Sequence, residues 1–129
     1  MLAAAAVIAG FVRADRKAAR IQGELREEFK TIASPPGTTL IGEETLHKPG
    51  ATFIGRTYSV SSDLQIIRKF YERELPSRGW AYHVERGSGS EIVVEYCKEH
   101  YAAKIDYFGG DTLPVRYTLY LDWGINDCF

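Results

Sequence analysis

Apolar and polar residues alternate along three segments in the second half of the chain, at residues 91–98, 101–108 and 115–123, which follow a further extended segment at 80–85. Because successive side chains of a strand point to opposite faces, this alternation predicts an antiparallel meander. We expect the apolar face to lie against a helix. In the last three strands it comprises Ile92, Val94, Tyr96, Tyr101, Ala103, Ile105, Tyr107, Val115, Tyr117, Leu119, Leu121 and Trp123. The opposite, charged face is expected to be solvent-exposed.

A helix is predicted immediately before this meander, beginning at Ser62. Ser62 and Gln65 fit a capping box, in which each side chain satisfies a free backbone amide. Apolar residues then recur at helical spacing, which predicts one broad buried stripe. The stripe comprises Leu64, Ile67, Tyr71 and Leu75, widened by Ile66 and Phe70. Pro76 and Gly79 are expected to end this helix.

Two extended runs, at residues 38–47 and 51–60, precede the helix and are separated by a Pro-Gly turn. Their β-branched and aromatic residues favour strands. After an N-terminal helix, the element order is therefore β-β-α-β-β-β-β. This order predicts an α+β fold over residues 38–129, with one helix packed on an antiparallel sheet of about five or six strands.

The apolar composition of residues 1–12 predicts either a truncated membrane anchor or the start of an apolar helix. The run from Leu2 to Val12 carries no charge. As a helix it would cover about 17 Å, against the roughly 30 Å hydrocarbon core of a bilayer. A membrane span would therefore need residues that this sequence does not contain. The alternative is a helix packed on the protein's own core.

Residues 13–33 predict an amphipathic helix that serves as a stalk or docks on the domain. Its apolar stripe follows spacings of three and four residues, at Ala18, Ile21, Leu25, Phe29 and Ile32. Such a stripe suits a homodimer through residues 18–32, or packing against the same chain. The Pro35-Pro36 pair ends the helix.

The composition is that of one globular domain, since 45% of the 129 residues are hydrophobic and 26% are charged. The formal net charge of -1 provides no general attraction for nucleic acid. No nucleic-acid partner is therefore expected.

The helix-to-strand corner carries a phrase of the form Phe-Tyr-x-x-x-Leu-x-x-x-Gly-Trp, formed by Phe70, Tyr71, Leu75, Gly79 and Trp80. With its surroundings, over residues 35–123, it resembles the small α+β domains of uncharacterised bacterial envelope proteins. The resemblance implies a shared fold and an anchored or exported setting. It brings no catalytic residues, and the chain lacks the lipidated cysteine of the lipoprotein members.

The sequence nominates no catalytic residue, no cofactor site and no metal site. His47, His83 and His100 stand in separate segments, and only His100 has a ligand-type neighbour, Cys97, at metal-binding spacing. Cys97 and Cys128 are expected to meet at one edge of the meander. They form either a disulfide, which requires an oxidising compartment, or two free thiols.

Two functional hypotheses follow. The first is a non-enzymatic, membrane-tethered interaction or structural module of the bacterial cell envelope. Its partner would be a protein bound through a sheet face formed by Glu95, Lys104, Asp106, Arg116, Tyr120 and Asp122. The basic residues after Val12 favour a cytoplasmic domain, whereas a disulfide would favour the other side.

The second hypothesis is a small-ligand-binding or hydrolase domain with a site between helix and sheet. It would require a pocket beside the buried tyrosines. We expect no pocket with convergent polar groups near Tyr96, Tyr101 and Tyr117.

Overall fold

A computed structural model describes residues 2–110 and 112–128, with side chains from residue 13 onward. Within these residues the chain forms two helices and one antiparallel sheet of six strands, which confirms the predicted α+β class. In chain order the elements are α1 (Leu2–Thr31), β1 (Thr38–Lys48), β2 (Ala51–Val60), α2 (Leu64–Ser77), β3 (Ala81–Ser88), β4 (Glu91–Lys98), β5 (Tyr101–Phe108) and β6 (Val115–Trp123).

The sheet has the strand order β1-β2-β6-β5-β4-β3. A tight turn at Pro49 and Gly50 joins β1 to β2, and the last four strands form the predicted meander. The two parts meet where β2 pairs with β6, from Thr52 opposite Trp123 to Val60 opposite Val115. Helix α2 connects β2 to β3, at the far edge of the sheet.

The predicted apolar face of the sheet is the core of the protein. Val94, Ala103, Ile105, Leu119 and Leu121 are among its buried members. Ile92, Tyr101 and Trp123 are partly buried and pack against the same cluster.

Four tyrosines and a phenylalanine cluster between helix α2 and the sheet. The hydroxyl oxygens of Tyr71 and Tyr117 are 2.7 Å apart and form a buried hydrogen bond. Burial raises the pKa of Tyr117 to about 12 and raises that of Tyr71 further. Both hydroxyls therefore stay neutral. The rings of Tyr58, Tyr107 and Phe70 contact this pair.

The ends of α2 differ from the prediction. The N-cap is Asp63 instead of Ser62, and its carboxylate accepts the backbone N–H of Ile66 at 3.1 Å. Asp caps as well as Ser, so the local sequence did not distinguish these neighbours. Pro76 does not stop the helix, which continues to Ser77.

Gly79 supplies the positive φ, +91°, that ends α2. The N–H groups of Gly79 and Trp80 donate to the carbonyls of Pro76 and Leu75, which is the hydrogen-bond pattern of a Schellman motif. Ile66 was predicted to widen the buried stripe, but it is 56% exposed because α2 buries only the narrow row of Leu64, Ile67, Tyr71 and Leu75.

Two helices, not one, cover the sheet, because one is too narrow. Six strands about 4.8 Å apart span roughly 24 Å, whereas a helix with its side chains is about 10 Å wide. Helix α1 lies over β1, β2 and β6. Its predicted stripe of Ala18, Ile21, Leu25 and Phe29 is buried against the same chain.

Polar contacts fix the position of α1 on the sheet. The Gln22 side-chain amide donates to the Thr52 hydroxyl at 2.9 Å and to the Leu46 carbonyl at 3.1 Å. The Arg56 guanidinium lies 4.6 Å from the centre of the Phe29 ring. Residues 18–29 therefore belong to the same packed unit as the sheet. The alternative, a homodimer through the stripe of residues 18–32, stays a prediction.

The described helices include none that is both long enough and apolar enough to cross a membrane. The side chains of residues 1–12, on which the anchor hypothesis rests, lie outside the described part of the chain. The anchor therefore stays a prediction.

Truncating Leu25, which is fully buried in α1, tests whether α1 is part of the folded core. Leu25→Ala is expected to lower the free energy of unfolding by about 2–5 kcal/mol, the usual cost of a buried leucine. Leu40→Ala makes the same change at a leucine that is 51% exposed and serves as the control. Urea denaturation of both variants measures the difference. Equal, small losses would show that α1 does not contribute to the core.

Candidate functional site

The six residues predicted to bind a partner lie together on the sheet face opposite the helices, which we call the charged face: Glu95, Lys104, Asp106, Arg116, Tyr120 and Asp122. In the strand register, Glu95 lies opposite Lys104, and Lys104 lies opposite Tyr120. The prediction that this whole face is solvent-exposed is wrong at two positions. Glu95 is 1% exposed and Asp122 is 2% exposed.

The cover over these two carboxylates is the C-terminal tail, residues 124–128, which folds back across the charged face. The Lys104 ammonium donates to the Ile125 carbonyl at 3.3 Å. The Asn126 side-chain amide donates to the Asp122 carboxylate at 2.6 Å. The tail thus crosses from β6 over β5 toward β4.

A disulfide between Cys97 on β4 and Cys128 holds the end of the tail. The two Cα atoms are 5.6 Å apart, within the usual range for a disulfide. The meander geometry predicted that these residues would meet. Cys128, the last residue of the tail, is buried, so the bond is shielded from solvent.

The buried charges form a continuous ionic network. Lys104 lies 3.1 Å from an Asp122 oxygen and 3.7 Å from a Glu95 oxygen. Arg86 of β3 lies 3.5 Å from Glu95 and 3.3 Å from Asp127 in the tail. These contacts offset part of the cost of removing the carboxylates from water.

The pKa values of Glu95 and Asp127 are shifted in opposite directions by this network. Burial raises the pKa of Glu95, and the hydrogen bond with Asp127 adds to that effect. The same hydrogen bond lowers the pKa of Asp127, which is exposed. When the pair holds one proton, the proton therefore resides on Glu95.

His83, Glu95 and Asp127 also bring together three side chains of the types that bind metal ions. One ligand atom from each lies within 4.8 Å of the other two, and the His83 ring nitrogen is 3.4 Å from the Asp127 carboxylate. However, Arg86 and Lys104 already place positive charge beside the same carboxylates. The arrangement therefore favours an ion-pair network over a metal centre.

Sequence reasoning missed His83, Arg86 and Asp127. They come from an edge strand and the tail, and they approach Glu95 only through the fold. No local motif indicates this contact, because Arg86 and Asp127 are far apart in sequence and are brought together only by the path of the tail.

The other part of the charged face remains accessible. Arg116 is exposed, while Asp106 and Tyr120 are partly exposed. The Tyr120 ring packs against Gly55, where a Cβ atom would come within 2.7 Å of two ring atoms, so a larger residue there would displace the ring. The Tyr120 hydroxyl donates to the Glu44 carboxylate at 2.9 Å.

Asp106 has an oxygen that finds no hydrogen-bond partner within residues 2–110 and 112–128. Burial and the nearby Glu91 raise the pKa of Asp106.

The pocket hypothesis concerned Tyr96, Tyr101 and Tyr117. At Tyr101 and Tyr117 the interface between the helices and the sheet is filled. The Tyr117 hydroxyl bonds to Tyr71, and the Tyr101 hydroxyl donates to Glu24 at 2.6 Å. At Tyr96 the surface is open, and the expectation of no pocket with convergent polar groups stays a prediction. An open crevice of about 370 Å³ lies there, lined by Glu72, Pro76, Tyr82, Glu85, Val94 and Tyr96.

No protein-family model, curated protein or solved structure matches this chain. The resemblance carried by the Phe70–Trp80 phrase therefore stays a prediction.

Removing the disulfide tests its contribution to stability. The double variant Cys97→Ser/Cys128→Ser opens a cross-link between residues 31 apart in sequence. It is expected to lose about 3–4 kcal/mol of unfolding free energy, because its unfolded chain is less constrained. Urea denaturation, with the wild type in a reducing buffer as the matched control, measures this. Unchanged stability in both samples would refute a constraining role for the bond.

The pH dependence of stability tests the environment of Glu95. Its pKa is higher in the folded than in the unfolded state, so the unfolding free energy of the wild type falls as pH rises through that folded pKa. Glu95→Gln lacks this loss. Its unfolding free energy relative to wild type is therefore expected to increase between about pH 4 and about pH 7.

Asp127→Asn is the companion variant, and the opposite sign is expected. Because the pKa of Asp127 is lowered by folding, its stabilisation is present at neutral pH and is lost on acidification. Relative to wild type, the variant should therefore lose stability as pH rises. Equal slopes for the two variants would contradict the proposed proton arrangement.

Proposed function

We propose that the chain is a non-enzymatic interaction module of a membrane-tethered protein of the bacterial cell envelope, and that the accessible part of its charged face binds a protein partner. The observation that carries this proposal is the tail, which the disulfide holds across half of that face. The tail leaves Asp106, Arg116 and Tyr120 accessible beside a rigid support. An aromatic ring flanked by charges is typical of a protein-binding surface.

The disulfide also supports the location of the module. Structural disulfides persist in oxidising compartments, which favours the outer side of a membrane. The basic residues after Val12 favour the opposite side. A thiol count on denatured, non-reduced protein from the native host separates the two: no free thiol places the domain outside the cytoplasm, and two free thiols place it inside.

The small-ligand hypothesis is favoured by one observation, the crevice at Tyr96. Its lining residues include two carboxylates, Glu72 and Glu85, but no serine, cysteine, threonine or histidine. A hydrolase using an activated nucleophile would need such a residue paired with a base. The crevice thus suits binding better than hydrolysis.

Site-specific photo-cross-linking in the native host tests the proposal. A benzoylphenylalanine replacing Tyr120 is expected to give one discrete adduct of higher mass. The same photoreactive residue at Thr39, an exposed position on β1, is the control. Arg116→Glu, introduced together with the probe at position 120, should reduce the adduct by about fivefold, because it reverses a charge at the interface.

The adduct pattern distinguishes the outcomes. A discrete adduct at position 120 that depends on Arg116 supports the proposed face. Adducts of equal yield and pattern at positions 39 and 120, or none at 120, would refute it.

A further inference from the structure

The crevice at Tyr96 lies where helix α2 meets the outermost strand, β3, without covering it. Tyr82 and Glu85 of β3 lie opposite Tyr96 and Val94 of β4, so all four share the helix-facing side of the sheet. Glu72 and Pro76 of α2 form the other wall. Two helices cover only about four strands, so β3 keeps its helix-facing side chains exposed.

Aromatic rings form the floor and one side of the crevice. Tyr96 is 2% exposed, whereas Tyr82 is 61% exposed. Their ring centres are 5.9 Å apart with an edge-to-face angle of 85°. A large ring that is held by another ring but left open to water is a ready contact surface for a ligand.

The charge of the crevice is negative at its mouth. Glu85 is paired with Arg68 of α2. In the described part of the chain, Glu72 has no ion pair, and it is exposed beside Tyr82. Burial raises the pKa of the Tyr96 hydroxyl, and the negative charge of Glu72 raises it further.

The protein itself shows which group this environment accepts. The Arg68 guanidinium pairs with Glu85 and lies 6.0 Å from the centre of the Tyr107 ring, so it combines a carboxylate with an aromatic ring. Glu72 and Tyr82 offer the same combination toward solvent. A guanidinium suits it better than an ammonium, because a planar guanidinium stacks on a ring while its N–H groups reach a carboxylate.

We propose that this crevice binds an arginine side chain of the protein partner, with the guanidinium on the Tyr82 ring and paired with Glu72. This inference rests on the proposed function, since it names a contact of the same partner. It adds a second contact region, on the opposite side of the sheet from Tyr120.

Nuclear magnetic resonance titration of the full chain with N-acetyl-arginine amide tests the site directly. Saturable shifts are expected at the backbone amides of Glu72, Tyr82 and Glu85, with a Kd of about 1–10 mM for a single ion pair and cation–π contact. N-acetyl-citrulline amide has nearly the same shape without the charge and should cause no saturable shift. Equal binding of the citrulline compound would overturn the proposal.

Matched variants identify the groups responsible. Tyr82→Ala and Glu72→Gln should each weaken binding about two- to fivefold, whereas Tyr82→Phe should retain it because the ring remains. Glu91→Gln removes an exposed carboxylate on the other face of β4 and should have no effect. Loss of binding in Glu91→Gln, or none in Tyr82→Ala, would refute the site.

Two further results separate this inference from the proposed function. Tighter binding of putrescine than of the arginine compound would identify a free amine as the occupant and overturn the protein-partner assignment. In the native host, Glu72→Arg should reduce the adduct at position 120, and an unchanged adduct would also overturn the assignment. If the titration succeeds but no adduct forms at position 120, the proposed partner-binding face fails while the guanidinium site stands.

Discussion

The pairing of β2 with β6 is the constraint on which the rest of the structure depends. It joins a hairpin near the start of the sheet to the last strand of the meander, with Val60 opposite Val115 and Thr52 opposite Trp123. Contacts this distant in sequence cost closure entropy before they contribute any stability. Once formed, they place the apolar positions of both parts on one face, which becomes too wide for a single helix.

The width of the apolar sheet face separates what the sequence could predict from what it could not. Period-two alternation identified the strands and the buried face of the meander, because it depends only on neighbouring residues. The stripe of α1 was also visible, but a stripe shows only that a helix is amphipathic, not what covers it. The cover for Leu25 and Phe29 was decided by the uncovered side of β2 and β6, which exists only in the complete sheet.

The charged face shows a second limit of pattern reading. Alternation placed Glu95 and Asp122 on the face opposite the core, where they are, yet their burial depends on a tail that follows the last strand. Burying carboxylates is costly unless they are paired, and Arg86 and Lys104 provide that pairing. The approach of Arg86 and Asp127 was not visible locally, because Arg86 reaches Glu95 from an adjacent strand and Asp127 arrives through the disulfide-held tail.

The ionic network and the crevice both include residues of the edge strand β3, although they lie on opposite faces of the sheet. Arg86 faces the charged network, whereas Tyr82 and Glu85 face the crevice. On β4, the adjacent residues Glu95 and Tyr96 separate the regions in the same way, because successive side chains point to opposite faces.

Among the described residues, β3 is paired on one side only, with β4, and its outer edge is free. A partner that passes this edge can reach the crevice directly, whereas Asp106, Arg116 and Tyr120 lie further inward, on β5 and β6. A single partner would therefore have to extend from this edge across the charged face to contact both proposed regions.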